Sequence, residues 1–221
     1  MNGLTLLLFR SLWGFGGTLD QAINQAQFDG FDGLEVNLNH PALNRKEHEV
    51  SELLKGAGLE LIIELVSGGD YVPPLDLSWQ QHLNDLDRQL EQAEQLRPLR
   101  INLIAGSDSW SEETQDCFLA ALLDRIDQCS CPVSLETHRS RSLFNPWTIA
   151  AVLHKHPRLR LTADISHWCA VSERLMTPEL EPIQAITDRV DHIHARVGHS
   201  QGPSVTHPFA PEWGDALEAH R

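Results

Sequence analysis

Pro132-Val133-Ser134-Leu135-Glu136-Thr137-His138-Arg139, Leu159-Arg160-Leu161-Thr162-Ala163-Asp164-Ile165-Ser166-His167 and Val190-Asp191-His192-Ile193-His194-Ala195-Arg196 are apolar runs that each end in carboxylate or imidazole groups. Glu136, Asp164 and His194 follow one another at intervals of 28 and 30 residues. That interval is about the length of one strand-helix unit of a parallel barrel, in which the C-terminal strand ends gather at the catalytic face. Side chains alternate faces along a strand, so Ser134, Glu136 and His138 share a face, as do Thr162 with Asp164 and His192 with His194 and Arg196. The opposite parity (Leu159, Leu161 and Ala163, then Ile193, Ala195 and Val197) is apolar and is expected to pack against outer helices. The polar faces then look toward the barrel axis. Unpaired charges there cost on the order of several kcal/mol each, and mutual pairing or a bound cation relieves that cost. A Glu, an Asp and a His converging in this way outline a divalent-metal site.

Outward from these strings the chain alternates two periods. Strand-like runs occupy Leu4–Phe9, Gly33–Leu38, Leu59–Val66, Leu99–Ile104, Pro132–Glu136, Leu159–Asp164 and Val190–Ala195. Helical stretches between them cover Leu19–Asp29, Lys46–Gly56, Trp79–Leu96, Glu112–Gln128, Pro146–Lys155 and a looser segment within Pro178–Asp188. Thr18 and Ser78 stand where N-caps belong, and Gly56 or Gly58 closes the second helix. Strict alternation with near-continuous apolar strands predicts a parallel sheet covered by helices. Seven strands with polar C-terminal ends favour a TIM (β/α)8-type barrel over a doubly wound sheet. Phe15-Gly16-Gly17 and Ser67-Gly68-Gly69 lack the spacing of a dinucleotide-binding turn.

Composition narrows the function. The 221 residues are read as one domain, 1–221. A formal net charge of −14 argues against holding a nucleic-acid backbone, which requires Lys and Arg. No apolar stretch approaches membrane-spanning length, and Leu4–Phe9 is too short for a signal core. Cys117, Cys129, Cys131 and Cys169 lack a framework spacing and read as free thiols, which fits a cytoplasmic location.

Glu-Thr-His-Arg after the fifth strand, Asp-x-x-His after the sixth and His-x-His-Ala-Arg-Val-Gly-His after the seventh resemble the sugar phosphate isomerase/epimerase family. These are xylose isomerase-like TIM barrels, a superfamily that includes ketose 3-epimerases, inosose dehydratases, hydroxypyruvate isomerase and endonuclease IV. Gly30-Phe31-Asp32-Gly33-Leu34-Glu35-Val36 is similar to the family's second strand, and the resemblance spans roughly residues 4 to 213. It implies one divalent cation (Mn, Co, Mg or Zn) held by Glu136, Asp164 and His194. It also implies Glu136 as acid/base, His167 at the substrate oxygens, and His138, Arg139 and Arg196 as further substrate-binding groups. The expected substrate is a small sugar, sugar phosphate or related hydroxy-ketone.

The family's fourth ligand, a Glu closing strand eight, has no counterpart; Glu212 stands at a helix start. The expectation is therefore an incomplete barrel of seven strands, read as C-terminally truncated, whose open edges favour a homo-oligomer. Alternatives are a catalytically incomplete barrel that binds a ligand or partner, or an endonuclease IV-like phosphodiester hydrolase. Blander roles compete at single residues. Glu136 can pair with Arg139, Asp164 can cap a helix, and Glu35 and Glu64 are read first as barrel-lining ion-pair partners. His199 and His207 are read as loop residues, and Trp13 and Trp110 as rim packing.

Overall fold

The computed structural model describes residues 5–221. Seven strands form one all-parallel sheet in sequential order: β1 (Phe9–Ser11), β2 (Gly33–Asn37), β3 (Glu60–Val66), β4 (Arg100–Ile104), β5 (Val133–Glu136), β6 (Leu161–Ala163) and β7 (Val190–Ile193). The sheet rolls on itself, because the β7 residue His192 reaches Glu35 of β2 and lies with its ring centroid 6.5 Å from that of Phe9. The protein is an incomplete TIM barrel. Leu34, Val36, Leu61, Ile63, Leu65, Ile101, Leu103, Leu135 and Leu161 point the other way and are buried in one apolar layer beneath the helices.

Local sequence explains most of the helices. Thr18 and Ser78 each accept from the backbone three residues on, while Gln21 and Gln81 reach back to the cap residues, so α1 (Leu19–Asp29) and α3 (Trp79–Gln95) open on full capping boxes. Leu83, Leu86 and Leu90 then line the buried face of α3, each stabilising by roughly 2 kcal/mol. Gly58, at φ +70°, closes α2 (Glu47–Ala57); Gly56 stays inside the helix. There follow α4 (Glu112–Ile126), α5 (Ile149–Lys155), α6 (Ile165–Ser172), α7 (Glu181–Ile186) and α8 (Gly214–Ala219). Among the described residues no helix is long and apolar enough to cross a membrane.

Three expectations need correction. The first strand is Phe9–Ser11 rather than Leu4–Phe9; Leu4 itself lies outside the described residues. Phe9 registers with Gly33, the first residue of β2, so Leu6, Leu7 and Leu8 run past the end of their neighbour in the described sheet and stay exposed. Second, the sixth strand stops at Ala163, and the chain turns at once into α6, well before the looser helix expected within Pro178–Asp188. The turn is made by Asp164, whose Oδ1 accepts the Ser166 N–H at 3.1 Å. Third, Ile193 is 64% exposed and Ala195 is exposed instead of packing under an outer helix, because β7 is an edge strand.

Candidate functional site

The C-terminal strand ends deliver Glu35, Glu64, Asn102, Glu136, Asp164, His192 and His194 to the inner face. Asn37 pairs in register with Glu64, Glu64 with Asn102, and Asn102 with Ser134. Beneath Glu136 and Asp164, Ser134 Oγ and Thr162 Oγ1 share a hydrogen bond of 2.7 Å. This polar layer locks the floor of the site.

The three residues expected to share a cation do converge. His194 Nδ1 lies 3.5 Å from Glu136 Oε2 and 3.8 Å from Asp164 Oδ2, and both carboxylates are 2% exposed. On the far side of the same imidazole, Nε2 stands 2.8 Å from Glu35 Oε1. A carboxylate only accepts, so Nε2 carries the proton. In the neutral ring, Nδ1 then turns a bare lone pair toward two carboxylates, an arrangement that needs a positive charge between them. A protonated ring supplies it one way: burial opposes the charge, but Glu136, with the hydrogen bonds of Asp164, Glu136 and Glu35, raises His194 well above its ordinary range. A divalent cation supplies it another way. Metal–ligand bonds of about 2.0–2.2 Å set neighbouring ligands roughly 3–3.6 Å apart, close to the observed spacing. The donor set fits a borderline-hard cation.

Glu35 is the residue the sequence reading undervalued. Its two oxygens accept from His194 and, at 3.1 Å, from His192 Nε2. Burial works to raise its carboxyl, but the two histidines overcome that and hold it at about 2. The available signal was its inward parity on β2, one register row from the strand ends.

Arg196 and His167 meet at the same point. Arg196 Nη2 donates to Asp164 Oδ2 at 2.6 Å and to His167 Nε2, and its Nε donates to Ser166 Oγ at 2.9 Å. Asp164 is therefore both helix cap and member of the cluster; despite burial, His194 and Arg196 lower its pKa. Burial pushes His167 down to about 2 against the pull of Asp164, so the ring is neutral and its Nε2 lies 3.8 Å from Glu136 Oε1. Its ring centroid is 3.9 Å from that of His138, which the β5 end places beside it. Arg139 is the exception. Its side chain is exposed and joins none of these hydrogen bonds among the described residues, so the Glu136–Arg139 pair does not form.

The loop after β3 packs beside this cluster. Arg141 is fully buried, yet it pairs with carbonyls rather than a carboxylate: Nη1 donates to Ser67 and Gly106, Nε to Tyr71, and Nη2 to Asp70. It thereby ties three loops together and sets the Tyr71 ring 6.3 Å from His138.

A sequence profile described as the xylose isomerase-like TIM barrel matches residues 23–215. The chain belongs to that family. No curated protein matches it closely enough to add a nearer relative. Among solved structures it is similar to a probable 3-DHS dehydratase, AsbF, involved in petrobactin synthesis in Bacillus anthracis (16% identity, 94% of this chain and 78% of that one, TM-score 0.66). It is also similar to D-allulose 3-epimerase from Methylomonas sp. (18%, 86% and 71%, TM-score 0.64) and to an IolI protein with a bound zinc atom (11%, 75% and 65%, TM-score 0.59). At these identities the likeness is one of fold. Neither the hydrolase nor the binding-only reading gains from it.

Proposed function

We propose that this chain is a single-domain, divalent-metal-dependent isomerase or epimerase of a small sugar, sugar phosphate or related hydroxy-ketone. The observation that carries the proposal is the convergence of Glu136, Asp164 and His194, with the His194 lone pair aimed between two carboxylates by Glu35. In this reading those three residues hold Mn, Co, Mg or Zn. A bound cation polarises a carbonyl and its neighbouring hydroxyl, which eases loss of the adjacent C–H proton.

The protein's own groups do the rest. Glu136 Oε2 is occupied by the Asn102 amide at 2.7 Å, so Oε1 is the oxygen left to take the proton. Neutral His167, whose Nε2 here accepts from Arg196, and its neighbour His138 would meet substrate oxygens. Arg196, anchored on Asp164, and Arg139, free at the rim, would bind hydroxyl, carboxylate or phosphate groups.

The test follows solvent deuterium into the carbon beside the carbonyl of candidate ketoses, with manganese or cobalt supplied. Proton abstraction labels that carbon even when net turnover is slow. Labelling of at least one ketose or hydroxy-aldehyde is the expected result. No labelling of any, with metal bound stoichiometrically, overturns the proposal.

A further inference from the structure

Inversion at a carbon needs two proton-transfer groups, one that removes a proton and one that returns it from another side. Four carboxyl groups line the inner face of the strand ends: Glu35, Glu64, Glu136 and Asp164. Glu35 has both oxygens engaged by His192 and His194, and Asp164 has both engaged by Ser166 and Arg196. Glu64 differs. Its Oε1 accepts from the Tyr71 hydroxyl at 2.6 Å and from Asn37 Nδ2 at 2.9 Å, whereas its Oε2 has no hydrogen-bond partner among the described residues. The carboxyl is therefore held by one oxygen and open at the other, as a proton-delivering group has to be.

Its position is also suitable. Glu64 pairs in register with Asn102, and Asn102 in turn donates to Glu136. The two glutamates stand on strands two apart; Glu136 lies two residues beyond Ser134, the register partner of Asn102, so their backbones are roughly 11–12 Å from one another. Side chains converging toward the axis from that separation leave room for one substrate carbon between the carboxyls. On the loop side, Tyr71 ties Glu64 to the His138–His167 stack.

Resting on the proton-transfer reading above, we infer that Glu64 is a second catalytic residue. It returns a proton to the carbon from which Glu136 removes one, and Tyr71 and Asn37 are positioning residues for its carboxyl. In the forward step the C–H bond breaks, its proton passes to Glu136 Oε1 and its electron pair enters the enediolate of the substrate. The new C–H bond then forms with the proton of Glu64 Oε2. Glu136 ends protonated and Glu64 ionised, and exchange with water resets both.

The charge state suits this role. Burial, then the nearby charge of Glu136, raises the Glu64 carboxyl to about 7 against the hydrogen bonds of Asn37 and Tyr71, with Glu35 adding to the rise. A carboxyl raised in this way holds a share of its proton near neutrality and, set across the site from Glu136, makes an acid/base pair with separated roles.

Glu64→Gln separates the two steps. With metal content unchanged, epimer formation should fall about 100-fold or more, the usual size of a lost acid/base group, while deuterium still washes into recovered substrate. Glu136→Gln loses both signals. Tyr71→Phe is the second variant, in case the first fails to fold. It should lower the ratio of epimer to wash-in without abolishing wash-in, a change that a purely structural role would not produce. Parallel loss of both signals in Glu64→Gln, or a ratio unchanged in both variants, overturns the assignment. So does a native protein that exchanges deuterium but forms no epimer. No exchange by the native protein with any sugar overturns the proposed function itself, and this assignment with it.

Discussion

His194 donates its Nε2 proton to Glu35 across the barrel at 2.8 Å, joining two residues 159 positions apart in the chain. The bond fixes the tautomer of the ring and aims Nδ1 at Glu136 and Asp164. A carboxylate placed behind a ligating imidazole typically governs metal affinity as much as geometry does. Glu35→Gln, which weakens this acceptor and removes its charge, should reduce manganese affinity about 10- to 100-fold with the circular dichroism spectrum unchanged. Calorimetric titration measures it. Native affinity in the variant would show that His194 does not ligate through Nδ1.

A different histidine sets acid stability. His82 is fully buried on α3; its Nδ1 lies 2.7 Å from Ser67 Oγ, and its Nε2 has no partner among the described residues. Burial, aided by the charge of Arg141, pushes it down to about 4. The folded state therefore binds fewer protons than the unfolded chain, in which His titrates near 6.5. The stabilisation is whole above pH 6.5 and is lost as the pH falls through 6.5 toward 4, on the order of 3 kcal/mol in all. His82→Asn cannot titrate and should flatten that limb in denaturant titrations between pH 4 and 7 (range set by those two pKa values). An equally steep loss in the variant rules His82 out as the cause.

What the chain disclosed in advance follows physical lines. Strand parity placed Glu136, Asp164 and His194 together correctly, because buried strands alternate faces whatever surrounds them. Thr18 and Ser78 were legible as caps because capping is local. The shift of β1 to Phe9–Ser11 was hidden, since a leucine run does not reveal where its neighbour begins. Asp164 was legible as a cap, but the place of α6 was hidden because one residue both ends the strand and caps the helix. Glu35 stayed ambiguous for a third reason. Its role depends on His192 and His194, which lie far along the chain and meet it only when the sheet rolls up.

The open edges carry a consequence for association. β1 and β7 each pair on one side only in the described sheet, and Leu6, Leu8 and Ile193 beside those edges are 75%, 51% and 64% exposed. Unpaired edges with exposed apolar side chains template pairing with another chain. The 221-residue protein should self-associate in light scattering, and Ile193→Lys should shift it toward monomer by adding a charge to the edge. A native chain that remains monomeric at the highest soluble concentration counts against edge-driven association.

The strongest contrast is expected between Glu136 and His167, which lie 3.8 Å apart but are given different work. Glu136 is proposed both to ligate metal and to take the proton. Glu136→Gln keeps the shape, one oxygen and the contact with Asn102, but it loses the negative charge and the basic site. Proton exchange should then drop by about 100-fold or more, with weaker metal binding and an intact fold. His167 receives a hydrogen bond from Arg196 and stacks on His138, and it is proposed to meet substrate oxygens rather than the cation. His167→Ala should therefore raise the substrate concentration needed for half-maximal exchange and leave metal stoichiometry unchanged. Because Arg196 also holds Asp164, that anchor survives the loss of the ring. Metal analysis alongside deuterium exchange reads both variants together. If His167→Ala empties the site of metal while Glu136→Gln retains it, the assigned roles are reversed, and the Glu136–His138–His167 group becomes the centre to examine as the cation site.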